Sequence, residues 1–129
     1  MGIFDSFFGK KENTTKGSGA LPWIPLTSIA QLEDIAQQSN GKPQLIFKHS
    51  TTCGISRMVL NMFTGSYNLE DTADIYFLDL HAHRDVSNEV ASRFGVMHQS
   101  PQLIIVKNGE VTYHTSHGAI ADINLKDYV

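Results

Sequence analysis

The sequence predicts an α/β fold, with a central mixed sheet of four to five strands flanked by helices. Residues 43–48 and 75–80 form two short apolar runs, as in strands that are covered on both faces. A helical repeat of apolar residues separates them, so strand, helix and strand form a βαβ unit with parallel strands. Asn108 and Gly109 follow a third apolar run and predict an antiparallel hairpin.

The composition suits one domain. A chain of 129 residues is long enough to bury a core, and its net charge of −3 arises from interspersed charges that give no argument for nucleic acid. The single cysteine excludes an internal disulfide and fits a reducing compartment, so we expect a cytoplasmic monomer. No apolar run approaches the roughly 20 residues that a membrane span requires.

We predict that residues 1–20 are a flexible N-terminal tail and linker and that residues 21–129 form the folded domain. Residues 10–20 contain almost nothing to bury. Two prolines interrupt 21–26 and allow at most a short edge strand there. Ser28 and Gln31 form a capping-box pattern that starts the first helix. The predicted inner face of that helix consists of Ile29, Leu32, Ile35 and Ala36.

Three further helices are predicted. The first follows residue 53, and its apolar repeat predicts a buried face made of Ile55, Met58, Val59, Met62 and Phe63. The second spans about 85–94 and ends at Gly95, a residue that favours a helix C-terminus. The last helix begins at Gly118 and Ala119 and continues through Leu125 to Tyr128.

Cys53 is the candidate nucleophile, because it lies between a strand and the start of a helix. Unpaired N–H groups and the helix dipole favour a thiolate there, which predicts a pKa below the ordinary value of about 8.5. The alternative is a cysteine that only fills space. Buried cysteines usually have apolar neighbours, whereas Ser, Thr and Gly surround this one. We therefore favour the reactive thiol.

The predicted order of elements, (β)αβαβαββα, resembles the thioredoxin fold from about Trp23 to Val129. The cysteine follows the central strand and a lone proline precedes the hairpin, and further stretches match at equal spacing, namely 94–96, 108–111 and 118–119. The resemblance implies that the peptide bond before Pro101 is cis. It also implies that Ser100 presents its backbone N–H and C=O to a thiol compound bound beside Cys53.

Ser56 stands where thioredoxins have their second cysteine. A hydroxyl cannot complete thiol–disulfide exchange, so Cys53 would hold a mixed disulfide until an external thiol released it. Such chemistry suits a protein whose cysteine is capped by a low-molecular-weight thiol.

The motif of residues 47–56 resembles that of the monothiol bacilliredoxins, the YtxJ or bacilliredoxin C family. Members carry Phe-Lys-His-Ser and then Thr-Cys-Pro-Ile-Ser, and this chain differs in having Gly54 in place of the proline. The resemblance implies that Cys53 removes bacillithiol from S-bacillithiolated proteins. Bacillithiol is then a co-substrate, and no tightly bound cofactor is expected.

Two other functions remain open. Cys-Gly-Ile-Ser at 53–56 is one substitution from the Cys-Gly-Phe-Ser of monothiol glutaredoxins, which carry an iron–sulfur cluster. Their Gly-Gly-Asp segment after the hairpin is absent, because 117–119 read His-Gly-Ala. The third candidate is a thioredoxin-like binding module without catalysis.

Several neighbours are candidate supporting residues. We expect Thr52, Gly54, Ile55 and Ser56 to stabilise the thiolate. Lys48 and Arg57 could attract the carboxylates of bacillithiol. His49 could assist proton transfer to a leaving thiolate, or it could pack inward. His81, His83 and Asp85 form the one metal-like cluster, but they lack a fourth ligand, so we predict a loop and no metal.

Overall fold

The computed structural model describes residues 22–52, 54–67 and 72–128. The first half contains β1 (Ile24–Pro25), α1 (Ala30–Gln38), β2 (Gln44–His49) and α2 (Gly54–Ser66). The second half contains β3 (Asp74–Asp79), α3 (Arg84–Phe94), β4 (Gln102–Lys107) and β5 (Glu110–Ser116). Two 3₁₀ segments follow, His117–Asp122 and Leu125–Asp127.

The strands form one mixed sheet in the order β1-β3-β2-β4-β5. β3 runs parallel to both β1 and β2, and β4 runs antiparallel to β2 and β5. The predicted βαβ unit, the hairpin and the short edge strand are therefore all present. In the centre of the sheet, Phe47 pairs with Phe77 on one side and with Leu103 on the other.

Two apolar cores lie on opposite faces of this sheet, and β2 supplies both because its side chains alternate. Leu45 and Phe47 pack with α2 and the C-terminal segments; we call this cluster the α2-side core. Ile46 packs with residues of α1 and α3 in the second cluster, the α1/α3-side core. All six residues of β2 are buried, as the continuous apolar run predicts.

The start of α1 forms half of the predicted capping box. The Gln31 side-chain oxygen accepts hydrogen bonds from the backbone N–H of Ser28 at 3.0 Å and of Thr27 at 2.7 Å. Leu32 and Ile35 are buried as predicted, whereas Ile29 is 45% exposed. Ile29 caps the helix instead of lying on its inner face, so its assignment to the core is wrong.

α2 buries a narrower face than its apolar repeat predicts. Val59 and Phe63 are buried, but Ile55, Met58 and Met62 are each more than half exposed, at 56%, 55% and 51%. The apolar residues extend around more of the helix than the sheet can cover. The prediction that all five are buried is therefore wrong for three of them.

The hairpin forms as predicted, and the C-terminal helix does not. Asn108 and Gly109 have φ values of 54° and 78°, the left-handed pair that a tight two-residue turn requires. Beyond β5 the two 3₁₀ segments replace the predicted single helix. Ile123 between them is extended, with φ −72° and ψ 138°, and this conformation breaks the helix.

Some predictions lie outside the described residues, namely the flexible tail 1–20 and the conformation of Cys53 itself. Within the described part of the chain, no helix has both the length and the apolar character needed to cross a membrane.

Candidate active site

Three connecting segments meet at one edge of the sheet. β2 and β3 are parallel neighbours, so the residues after His49 and after Asp79 emerge at the same edge. β4 is antiparallel to β2, and its first residue, Gln102, pairs with Lys48 near the end of β2. Ser100 and Pro101 therefore reach this edge from the other side. Ligand sites in open α/β sheets characteristically lie at the carboxyl ends of parallel strands.

The amino end of α2 also lies at this edge. The helix begins at Gly54, the residue that follows Cys53 in sequence. The first four N–H groups of a helix have no partner within it, which makes the start of α2 a place that favours negative charge. No acidic side chain occupies the first turn to offset this charge preference. Gly54 has open space around its Cα, since a Cβ there would meet nothing within 4 Å.

The turn before Cys53 is held by side chains from two other elements. Ser50 Oγ lies 2.8 Å from His81 Nε2, and Thr52 Oγ1 lies 3.1 Å from the same nitrogen. The two hydroxyl oxygens are 3.3 Å apart. From α2, Ser56 Oγ accepts the backbone N–H of Ser50 at 3.4 Å.

The Ser100–Pro101 peptide bond is cis, as the resemblance implies. Pro101 is buried, and its carbonyl accepts the backbone N–H of His117 at 3.0 Å. Gln102 anchors the preceding segment, because its side-chain amide donates to the carbonyl of Met97 at 2.9 Å. The hydroxyl oxygen of Ser100 is buried and has no hydrogen-bond partner within the described part of the chain.

His49 packs inward beneath the site, which is the second of the two alternatives that the sequence leaves open. The residue is 6% exposed, and its ring lies 5.4 Å from the ring of Phe77 and 6.5 Å from that of Phe47. Burial lowers the pKa of His49; Asp79 acts to raise it, and Arg57 lowers it further. The imidazole is therefore favoured in its neutral form, and no described residue forms a hydrogen bond with its Nδ1 atom.

Lys48 lies on the opposite face of β2 and is fully buried. Its Nζ donates to the carbonyl of Ser87 and to Nδ1 of His98, both at 3.2 Å. Burial lowers the pKa of Lys48 from 10.5 to about 8. The expectation that Lys48 attracts a ligand carboxylate is wrong, because the side chain has no exposed surface.

The family of the chain follows from comparison with known proteins. Residues 24–125 match the family described as monothiol bacilliredoxin BrxC. The chain belongs to this family. This assignment confirms the resemblance that the motif around Cys53 indicates.

Solved structures similar to this chain have the thioredoxin fold. One, described as an oxidoreductase with a thioredoxin fold, is 35% identical, with a TM-score of 0.65 over 75% of this chain and 84% of the other. A thioredoxin pre-protein of Schistosoma mansoni is 20% identical, with a TM-score of 0.63 over 83% and 98% of the two chains. A thioredoxin of Malassezia sympodialis is 18% identical, with a TM-score of 0.62 over 80% and 91%. The fold is thioredoxin-like, and these findings together support a monothiol redox protein.

The motif residues that follow Cys53 differ in how exposed they are. Gly54, Ile55 and Arg57 are exposed in the first turn of α2, whereas Ser56 is fully buried. Ser56 thus has a structural partner in the N–H of Ser50, and it lies beneath the site. Arg57 remains available to an anionic ligand, since it is exposed.

Sequence reasoning missed the part that His81 plays. Among the described residues no group of three or more His, Cys, Asp and Glu side chains could hold a metal ion. His81 instead bonds to the hydroxyls of Ser50 and Thr52. Its position directly after β3, the parallel neighbour of β2, is the signal that could have placed it beside the turn before Cys53.

Proposed function

We propose that this bacilliredoxin removes bacillithiol from S-bacillithiolated proteins through a mixed disulfide on Cys53. The observation that carries the proposal is the position of the only cysteine in the chain, directly before the first residue of α2. Membership of the monothiol bacilliredoxin family supports it. The start of α2 and the cis Ser100–Pro101 bond at the same edge of the sheet also support it.

The proposed reaction has two exchange steps. The Cys53 thiolate attacks the bacillithiol sulfur of the protein–bacillithiol disulfide, the old S–S bond breaks, and the client thiolate leaves and takes a proton from water. Cys53 now carries bacillithiol. A second bacillithiol thiolate then attacks this bacillithiol sulfur, which regenerates Cys53 and releases bacillithiol disulfide. The incoming bacillithiol is therefore the reductant of the client, because the bacillithiol that capped the client is already at the oxidation level of a disulfide and leaves as half of bacillithiol disulfide.

The surrounding groups have separate parts in this proposal. The N–H groups of Gly54 and Ile55, at the positive end of α2, stabilise the thiolate, and the Thr52 hydroxyl is a further donor beside it. Ser100 offers backbone groups to the bound disulfide, and exposed Arg57 attracts a carboxylate of bacillithiol. We further propose that the protein acts as a monomer in the reducing cytoplasm.

The test is a reaction with a purified S-bacillithiolated protein and excess bacillithiol, followed by intact-mass analysis of both proteins. We expect the client to lose the bacillithiol mass and the wild type to gain it transiently on Cys53. Cys53→Ser should do neither, while circular dichroism shows that it keeps its fold. Since the chain has one cysteine, any adduct is assigned without ambiguity.

The same experiment distinguishes the other candidate functions. An iron–sulfur absorption band, with no release of client thiol, would replace the proposal with cluster binding. If the client thiol is not released and no such band appears, the remaining candidate is a binding module without catalysis. The proposal would also be overturned if Cys53→Ser released the client thiol as fast as the wild type does, because the reaction would then not require the Cys53 sulfur.

A further inference from the structure

We propose that His81 is a positioning residue for Cys53: it holds the turn before the cysteine through the hydroxyls of Ser50 and Thr52. The inference rests on the proposed function only in taking Cys53 as the reacting group. His81 itself has no assigned part in that chemistry.

The first argument is the geometry of the contact. His81 Nε2 lies 2.8 Å from Ser50 Oγ and 3.1 Å from Thr52 Oγ1, and the two oxygens are 3.3 Å apart. These atoms form a closed triangle in which every edge is within hydrogen-bonding distance. Thr52 immediately precedes Cys53 in sequence, so the triangle ends one residue from the sulfur-bearing residue.

The second argument is that His81 is itself held in place. The carboxylate of Asp79 accepts the backbone N–H of His81 at 3.1 Å and that of Ala82 at 3.4 Å. The backbone N–H of Leu80 donates to the carbonyl of His49 at 3.1 Å, which extends the β2–β3 pairing into the two turns. The imidazole therefore connects two loops that are fixed relative to each other.

The third argument is that the rest of the turn has only one other support among the described contacts. Ser56 Oγ accepts the N–H of Ser50, but Thr52 is exposed, and among the described residues its hydroxyl contacts only Ser50 and His81. Without His81, the Thr52 hydroxyl would keep only its contact with Ser50, and the turn would sample more conformations. Fixed hydrogen-bond donors stabilise an anion more than mobile ones, so we expect the thiol pKa of Cys53 to rise when His81 is lost.

The experiment measures the rate of iodoacetamide alkylation of Cys53 against pH, which gives the thiol pKa without any bacillithiol substrate. We expect His81→Ala to raise that pKa by about one unit, which slows alkylation by about tenfold at pH values well below the wild-type pKa. His81→Gln should restore most of the rate, because an amide placed near Nε2 can bond to both hydroxyls. His83→Ala is the matched control, since His83 lies on the same turn and its ring bonds to neither hydroxyl.

A double-mutant cycle tests the route through Thr52. Thr52→Val should also slow alkylation, and the double variant should be slowed by less than the product of the two single effects, because the His81–Thr52 contact is lost in both single variants. A wild-type alkylation profile for His81→Ala would overturn the inference, as would additive effects or a failure of His81→Gln to rescue. Loss of bacillithiol transfer with these alkylation results intact would instead refute the proposed function alone.

Discussion

At the scale of single residues, the burial of the Lys48 ammonium group can be tested through the pH dependence of the free energy of unfolding. Burial lowers its pKa to about 8, whereas in the unfolded chain a lysine titrates near 10.4. Between these values the unfolded chain binds more protons than the folded protein, so the free energy of unfolding rises with pH. Below about pH 8 the folded state carries the full cost of the buried charge.

We therefore expect the wild type to gain up to about 3 kcal/mol of stability relative to Lys48→Met as the pH is raised from 7 to 10.5. Urea unfolding at several pH values measures the difference. Lys126→Met, at an exposed lysine, controls for the loss of one positive charge. A difference between wild type and Lys48→Met that did not change with pH would contradict a buried ammonium.

Ser56 is the residue that limits the proposed chemistry to one thiol. Ser56→Cys would create the Cys-x-x-Cys spacing of dithiol redox proteins with Cys53. We expect an oxidant to close an internal disulfide, seen as a loss of two hydrogens by mass spectrometry, and the dependence of client reduction on excess bacillithiol to fall. Ser56→Ala controls for the lost hydrogen bond to Ser50. Two free thiols after oxidation would contradict the expected proximity of positions 53 and 56.

At the scale of elements, substitutions on the two faces of α2 should have very different effects on the free energy of unfolding. Met62 is 51% exposed, whereas its neighbour Phe63 is fully buried in the α2-side core. We expect Met62→Ala to change the free energy of unfolding by less than about 0.5 kcal/mol. Phe63→Ala should cost about 3–5 kcal/mol, because it leaves a cavity. Urea unfolding of the two variants is the measurement, and similar losses in both would mean that α2 packs with a different face.

Local sequence signals predicted most elements but not how they pack. The run in β2 and the Asn108–Gly109 turn are set by near neighbours in the chain, so the sequence was sufficient for them. Which residues of α2 are exposed depends on how much of the helix the sheet covers. The local sequence pattern cannot predict this coverage. In a strand buried on both faces, alternation cannot say which face Lys48 takes. The contact of His81 with Ser50 joins residues 31 positions apart, and only the sheet order brings them together.

At the scale of the whole molecule, the two cores share the same strands. Phe47 belongs to the α2-side core, while Ile46, the next residue, belongs to the α1/α3-side core. β4 alternates in the same way, with Leu103 facing one cluster and Ile104 the other. Neither core can be lost without freeing strands that the other requires, so the domain should unfold in one cooperative step.

Trp23 gives a direct test of this coupling, because it is the only tryptophan and reports on one core alone. Its ring lies 5.9 Å from that of Phe47 and 5.4 Å from that of Phe77, on the α2 side of the sheet. Val90 of α3 lies in the α1/α3-side core, on the opposite face. We expect Val90→Ala to lower the urea midpoint of Trp23 fluorescence by the same amount as that of far-UV circular dichroism. A lower dichroism midpoint with unchanged fluorescence would mean that the two faces unfold separately.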